Sequence, residues 1–577
     1  MKEKTVNARL ITDIAENMDK ICPWNVYPRP QLKRDSFICL NGEWDFAVSS
    51  SDTAPESFTE KILVPFPPES ALSGIEREIG KRDVLYYRRT FSVPKEFIRD
   101  KVFLRFGAVD RFARLFVNGE LMGIHNCGYT PFFADITAVL REGENEILLE
   151  VRDGSSHLYP YGKQRKRGGM WYTNVSGIWQ TVWLESVPSD YIRNVKITPT
   201  AEKAHIRVIT DASNKKLTLL DTGEVFEFSG DSITVEPKEK RCWSPEDPYL
   251  YRFRIETDTD SVESYFALRE VGIKLVNGIH RLCLNGKPYL FNGLLDQGYF
   301  PDGLFLPATP EGYENDILFA KSLGFNTLRK HIKIEPAIFY YLCDRLGIAV
   351  FQDMVNNGKY SFIRDTALPT VFMKRLNDKR LHRNPESRAA FTECMTETAN
   401  MLYNYPSVVY YTVFNEGWGQ FNSDAMYDKL KLIDPTRIID STSGWFRQNK
   451  SDVDSHQVYF KKPRIAQGDT RPLVLSEFGG FSYRIDGHLF GEKNYGYRTC
   501  KSEKDFEEAV LELYTDGVLP LVKNGISALI YTQISDVEDE TNGFITYDRK
   551  AVKISRKKMA AIAKTLKETS EEKEDIQ

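Results

Sequence analysis

Residues 408–421 read VVYYTVFNEGWGQF, an apolar run that stops on an amide, a carboxylate, a glycine and an indole. Five of the six residues before Asn415 are apolar or aromatic, which suits a strand covered on both faces. The flanks repeat the pattern. Strand-like YLFNGLL (289–295) precedes helical GYENDILFAKSLG (312–324), and FNTLRK (325–330) precedes EPAIFYYLCDRLG (335–347). Then come IAVFQDM (348–354), the long helical ESRAAFTECMTETANMLYNY (386–405) and the opening stretch itself. Further strands are read at RIIDSTS (437–443), VDSHQVY (453–459), PLVLSEF (472–478) and ISALIYTQIS (526–535). Eight strands alternating with helical segments predict a (β/α)8 TIM barrel over residues 276–577.

The sequence before it has another character. Between residues 35 and 187 short alternating runs such as VFLRFGAV (102–109), RLFVNGEL (114–121) and NEILLEVRD (145–153) are punctuated by Asn-Gly and Glu-Gly turns. That pattern predicts an antiparallel sandwich in residues 1–187. NVKITPT (194–200), AHIRVIT (204–210) and YLYRFRIETD (249–258) follow, and the length of residues 188–275 suits an immunoglobulin-like sandwich. The fold class is thus multidomain, β plus α/β. Its 577 residues are too many for one core, and a net charge of -4 argues against a general nucleic-acid binder. No apolar run is long enough to span a bilayer, and MKEKTVNARLITDIAENMDK has no apolar core behind its lysines. Eight cysteines are scattered singly along the chain, a usage that fits reduced thiols in the cytoplasm and neither disulfides nor a zinc site.

Barrel enzymes carry their chemistry at the C-terminal ends of strands. Glu416 ends the fourth strand of this count and Glu477, in RPLVLSEFGGF, ends the seventh. One strand-end acid alone reads as a helix cap. Two on near-opposite strands can face each other across the mouth, as glycoside hydrolysis requires: one carboxyl protonates the leaving oxygen and the other attacks the sugar carbon.

At these residues the chain resembles glycoside hydrolase family 2. NTLRKHIKIEPAIFYYLCDRLGIAVF (326–351) is similar to the first family signature and NYPSVVYYTVFNE (404–416) to the second. GGMWYTNVSGIWQTVWLE (168–185) resembles the segment with which the family's sugar-binding jelly-roll domain meets the barrel. The resemblance implies that residues 1–187 form that jelly roll. It also implies a retaining, exo-acting β-glycosidase that takes terminal sugars from oligosaccharides or glycoconjugates, with Glu416 as acid/base and Glu477 as nucleophile. Asn415 would bond the sugar 2-hydroxyl, and Arg329 would hold the nucleophile ionised.

His331, His456 and Tyr459 are further candidates, although the spacing of the last two departs from the family's His-x-Tyr. Trp171, Trp418 and Trp445 could stack on a sugar face, with buried packing as the alternative for each. Asp296 and Gln297 after the first strand, and Gln533, Asp536 and Asn542 after the last, could meet hydroxyls or serve as ordinary loop residues.

A β-galactosidase-like specificity is expected. The alternatives are a β-glucuronidase or β-galacturonidase, an arabinosidase, and, in another class, a catalytically inactive carbohydrate-binding protein. FITYDRKAVK (544–553) lacks the Asn-x-Lys pair by which family glucuronidases grip a sugar carboxylate. Lys330, Lys333, Lys359 or the KQRKR loop (163–167) remain as uronate ligands. No cofactor, metal, nucleic acid or membrane is expected, and the partner set is a carbohydrate substrate with a homo-oligomer left open.

Overall fold

The computed structural model describes residues 10–572 apart from 52, 155, 368–376, 460 and 466–469. Alternation builds the first layers. Phe112–Val117 and Ala204–Ile209 bury every second side chain, as strands with one wet face do. Six antiparallel strands pair in the order Glu60–Val64, Gly42–Ser49, Val84–Ser92, Glu144–Arg152, Phe112–Val117, Glu120–Asn126. Four more pair in the order Ile38–Cys39, Val182–Val187, Lys101–Phe106, Phe132–Asp135. Trp44, Phe46, Leu85, Leu104, Leu115, Leu149 and Leu184, drawn from both sheets, share one core.

A second sandwich sets the sheet of Asn194–Pro199, Ala204–Ile209 and Ser232–Val235 beside that of Val225–Phe228, Lys215–Leu219, Tyr251–Glu256 and Ser261–Phe266. Three strands on four is an immunoglobulin-like arrangement. Next, Val271–Val276 pairs with Ile279–Leu284, turning at Asn277 and Gly278 with φ of 51° and 78°, the left-handed pair that a tight hairpin demands. Residues 275 and 276, where the sequence changes character, lie inside this hairpin. Its Leu282 and Leu284 cluster with Phe291, Phe351, Val409, Ile438, Val474 and Ile530, so the hairpin forms the floor under the barrel.

The barrel strands are β1 (Phe291–Asp296), β2 (Thr327–Lys330), β3 (Ala349–Asp353), β4 (Val408–Asn415), β5 (Ile438–Ser443), β6 (Asp454–Val458), β7 (Leu473–Gly479) and β8 (Ala528–Thr532). They are parallel, in the order β5-β4-β3-β2-β1-β8-β7-β6, and β5 and β6 lie beside each other to bring the sheet near closure. All eight residues of β4 are buried, because helices cover it outside and the other strands inside. Helices Glu311–Ser322, Ala337–Leu346, Pro385–Leu402 and Ser423–Ile433 follow β1 to β4, and Glu503–Glu512 and Arg556–Glu571 follow β7 and β8. The alternation read from the sequence breaks after β5. Residues 444–453 return to β6 without a helix, since ten residues hold little more than the two turns a crossover needs.

Candidate active site

The mouth is built around Arg329, the penultimate residue of β2 and only 1% exposed. Its Nη1 donates to Glu477 Oε1 at 3.0 Å, its Nη2 to Asn415 Oδ1 at 2.9 Å and its Nε to Asp353 Oδ1 at 2.9 Å. One guanidinium therefore ties together the ends of β2, β3, β4 and β7, a use of its fixed fork of donors that lysine cannot copy. Burial alone would lift the Asp353 carboxyl, but the charge of Arg329 and a hydrogen bond with His331 hold it below its usual range. His331 Nδ1 lies 2.8 Å from Asp353 Oδ2, and burial pushes the imidazole toward its neutral form.

The two glutamates have opposite surroundings. Glu477 Oε1 also accepts from Gln457 Nε2 at 3.1 Å, and Oε2 accepts from the Tyr459 hydroxyl. Three donors converge on it, which is what an acceptor-only carboxylate requires. Tyr459 is fixed in turn by stacking on Tyr497, with ring centres 3.7 Å apart. Glu416 receives no hydrogen bond on its side chain among the described residues. Burial first, then the charge of Glu477, raises its pKa to about 8, against smaller opposite pulls from Lys163 and Arg329. A raised carboxyl beside one held by three donors is the pattern of an acid and a nucleophile.

The backbone explains the Asn-Glu-Gly-Trp ending of β4. Glu416, Gly417 and Gly419 all have left-handed φ, of 53°, 70° and 67°, so the chain curls at once at the strand end. A Cβ on Gly417 would stand 2.3 Å from the Phe446 ring, and one on Gly419 2.3 Å from Asn357 O. A non-glycine residue held in this region is strained. Here the strain falls on the acid itself. The curl also tucks Trp418 under the mouth, where it stacks on Trp171 with ring centres 5.3 Å apart.

Of the remaining sequence candidates, Tyr459 meets Glu477 directly, and Asn415 shares the donors Arg329 and Gln457 with it. His456 does not. Its ring is taken by Arg447 at 2.6 Å and Asp454 at 3.3 Å, and the neighbouring Gln457 supplies the contact to Glu477 instead. The strand's period of two, counted back from Tyr459, would have found Gln457. Gln533 lies within a buried amide network, donating to Glu540 Oε2 and Asn542 Oδ1 and accepting from Gln297. Asp296 is paired with Lys330 at 2.7 Å, and Asp536 with Lys553 at 2.6 Å. Trp445 is half-buried in the loop after β5.

The uronate ligands drawn from Lys330 and Lys333 need correction. Both ammonium groups are engaged by Glu335, at 2.9 and 2.8 Å, in a network of less than 3% exposure. Arg549 and Lys550 are likewise turned to Asp316 and Asp13.

The N-terminal sandwich reaches this mouth. Tyr172 OH donates to Glu540 Oε2 at 2.7 Å and the Thr173 amide to Glu538 Oε1 at 2.9 Å. A separate cleft of about 550 Å³ opens between the sandwiches and the barrel, lined by Arg105, Trp183, Tyr403 and others, but neither strand-end glutamate borders it.

Residues 76–188 match the family model "Glycosyl hydrolases family 2, sugar binding domain" and residues 276–544 match "Glycosyl hydrolases family 2, TIM barrel domain". A β-galactosidase of Pseudoalteromonas haloplanktis is 26% identical over 517 residues, covering 76% of this chain and 47% of that protein. The chain spans about half the length of the curated relatives it matches. Among solved structures, a β-glucuronidase of an uncultured Clostridium sp. superposes with a TM-score of 0.73 at 18% identity, covering 93% of this chain and 99% of that one. A β-galacturonidase of Eisenbergiella tayi gives 0.66 at 19%, covering 93% and 97%.

Proposed function

The chain belongs to glycoside hydrolase family 2, and from that membership we propose that it is a retaining, exo-acting β-glycosidase. Glu416 is its acid/base and Glu477 its nucleophile. The observation that carries this is the asymmetry of the pair: the Glu416 carboxyl is buried, without a hydrogen bond among the described residues and raised to about 8, while Glu477 is met by Arg329, Gln457 and Tyr459.

Glu477 attacks the anomeric carbon as Glu416 gives its proton to the departing oxygen, leaving a glycosyl ester on Glu477. Esterification removes the negative charge of Glu477. That charge is, after burial, the largest cause that raises Glu416, so the acid becomes more acidic and can serve as the base that activates water in the second step. Asn415 Oδ1 is occupied by Arg329 at 2.9 Å and by Gln457 at 2.9 Å. Its Nδ2 is thereby left to donate to the sugar 2-hydroxyl, an interaction that strengthens in the oxocarbenium-like transition state.

For the glycone we propose a neutral hexose, a β-galactoside first, from oligosaccharides or glycoconjugates. The β-galactosidase named above supports it, as does the engagement of Lys330, Lys333, Arg549 and Lys550 by the protein's own acids. The division into residues 1–187, 188–275 and 276–577 is kept as a proposal with it.

A panel of nitrophenyl β-galactoside, glucuronide, galacturonide, mannoside, xyloside and arabinoside tests the glycone, and NMR of the first product tests retention. Cleavage of the galactoside with a β-configured first product is expected. Glu477→Gln should lose roughly a thousandfold or more in rate with every leaving group. An inverted first product would defeat the mechanism, and turnover of uronides alone would defeat the substrate.

A further inference from the structure

Five lysines of the described chain are buried: Lys163, Lys215, Lys330, Lys333 and Lys553. Four have acceptors at hydrogen-bond distance. Lys163, 7% exposed, has neither a hydrogen-bond acceptor nor a carboxylate at ion-pair distance among the described residues, and its Nζ lies 4.8 Å from the centre of the Trp418 ring. Beneath it, Trp418 is 2% exposed and its indole N–H also lacks an acceptor. The indole N–H is a buried donor without an acceptor, which is costly, and with the Lys163 ammonium over the same ring the site is built for something that supplies oxygen.

The loop that carries Lys163 is pressed onto the barrel. Tyr161 N donates to Asn356 O at 3.0 Å, and Tyr161 OH to Gly358 O at 2.9 Å. Gly162 has φ of 63°, and a Cβ there would stand 2.8 Å from Ile332 O, so the close approach needs glycine. Next along the loop, the Arg165 guanidinium lies 4.8 Å from the Trp171 ring and 5.4 Å from Tyr360, with no acidic partner among the described residues. Trp171, Trp418 and Tyr360 pack on one another. Two cations with no ion-paired carboxylate among the described residues thus stand over an aromatic wall that begins two residues beyond Glu416. Arg329, Gln457 and Tyr459 gather instead about Glu477.

Resting on the glycosidase reading, we propose that Lys163, backed by Arg165, forms a leaving-side subsite for substrates whose departing group carries a carboxylate. A proton donor stands beside the oxygen it protonates, so the groups clustered about Glu416 face the departing group rather than the anomeric carbon. The half-buried rings of Trp171 and Tyr360 take its flat face, and the ammonium takes its anion in a charge-assisted hydrogen bond. The residue determines specificity, and it comes from the N-terminal sandwich rather than from the barrel.

The test uses two aryl glycosides of the sugar that the panel selects, matched in phenol acidity, one bearing a ring carboxylate and one neutral. The wild-type chain should favour the carboxylate about tenfold in kcat/KM, the scale of one charge-assisted bond. Lys163→Met should abolish that preference, Lys163→Arg should keep most of it, and Arg165→Met, at the rim, should lower it about threefold. A merely structural role would slow both glycosides alike and leave the ratio intact. Calorimetry on the Glu477→Gln chain reads the same preference as a ratio of Kd values without turnover. An unchanged ratio in folded Lys163→Met overturns the subsite and leaves the glycosidase reading standing. If the panel shows no cleavage, the same pair is built on galactose, and a Kd preference lost in Lys163→Met then sustains the anion site and refutes the glycosidase reading.

Discussion

A Glu416 carboxyl without a hydrogen bond among the described residues and a Glu477 carboxylate with three donors are the same residue type given different surroundings. The raised Glu416 must carry its proton to act as acid, so kcat/KM should fall as pH rises through about 8. Glu477→Gln removes the second cause of that elevation. A carbon-13 titration of Glu416 in that variant should then report a pKa below the wild-type value, though still above an ordinary glutamate because burial, the larger cause, remains. Azide separates the roles. Glu416→Ala should be rescued by azide with an activated aryl glycoside and give the glycosyl azide of retained configuration. Glu477→Ala should give the inverted azide, and the reverse pairing would exchange the two assignments.

The exit of β4 is the element on which the proposed acid depends. Three left-handed residues in four aim Glu416 into the mouth while Trp418 turns under it. Gly417→Ala puts a Cβ into the Phe446 ring and forces alanine to φ of 70°. The backbone term alone costs about 1 kcal/mol. Because misplacement of a reacting group by about an ångström can slow catalysis some hundredfold, kcat should fall at least tenfold while urea unfolding moves only modestly. An unchanged kcat would show that the curl does not position the acid.

For the whole molecule, the first sandwich and the barrel share a core. Tyr129, Tyr172 and Trp179 from one cluster with Tyr299, Phe305, Val355, Val537 and Tyr547 from the other, and the Trp179 indole also donates to Gly128 O at 2.7 Å. Trp179→Ala should therefore cost about 3–5 kcal/mol in urea unfolding. Activity should drop with it below the midpoint, because the loop bearing Lys163 and Trp171 leaves the mouth with its support. A variant destabilised by that amount yet fully active would show that the sandwich is a bystander to catalysis.

What the sequence determined by itself is what local pattern can carry. Apolar runs of strand length alternating with helical periods specified the barrel, and Asn-Gly turns between alternating runs specified the sandwiches, because burial on one face or two leaves a period in the chain. Glu416 and Glu477 were legible for the same reason, as acids placed where an apolar run ends. The rest was decided only by tertiary structure. Arg329 and Glu477 are 148 residues apart in the chain, and no local pattern says that one guanidinium will join four strand ends. Gln457 and not His456 meets Glu477 because the pairing of β6 with β7 slips past Ser476, setting His456 beside Leu475 and Gln457 beside Glu477, and a single slip in strand pairing exchanges which side chain faces inward. Lys330 and Lys333 read as free cations until the fold supplied Glu335. Lys163 read as one cation of a basic loop that could meet a uronate until Gly162 let that loop descend onto Ile332 O. Charge and hydrogen bonding act over a few ångströms between segments the chain keeps far apart, so their partners are fixed by packing and not by sequence neighbourhood.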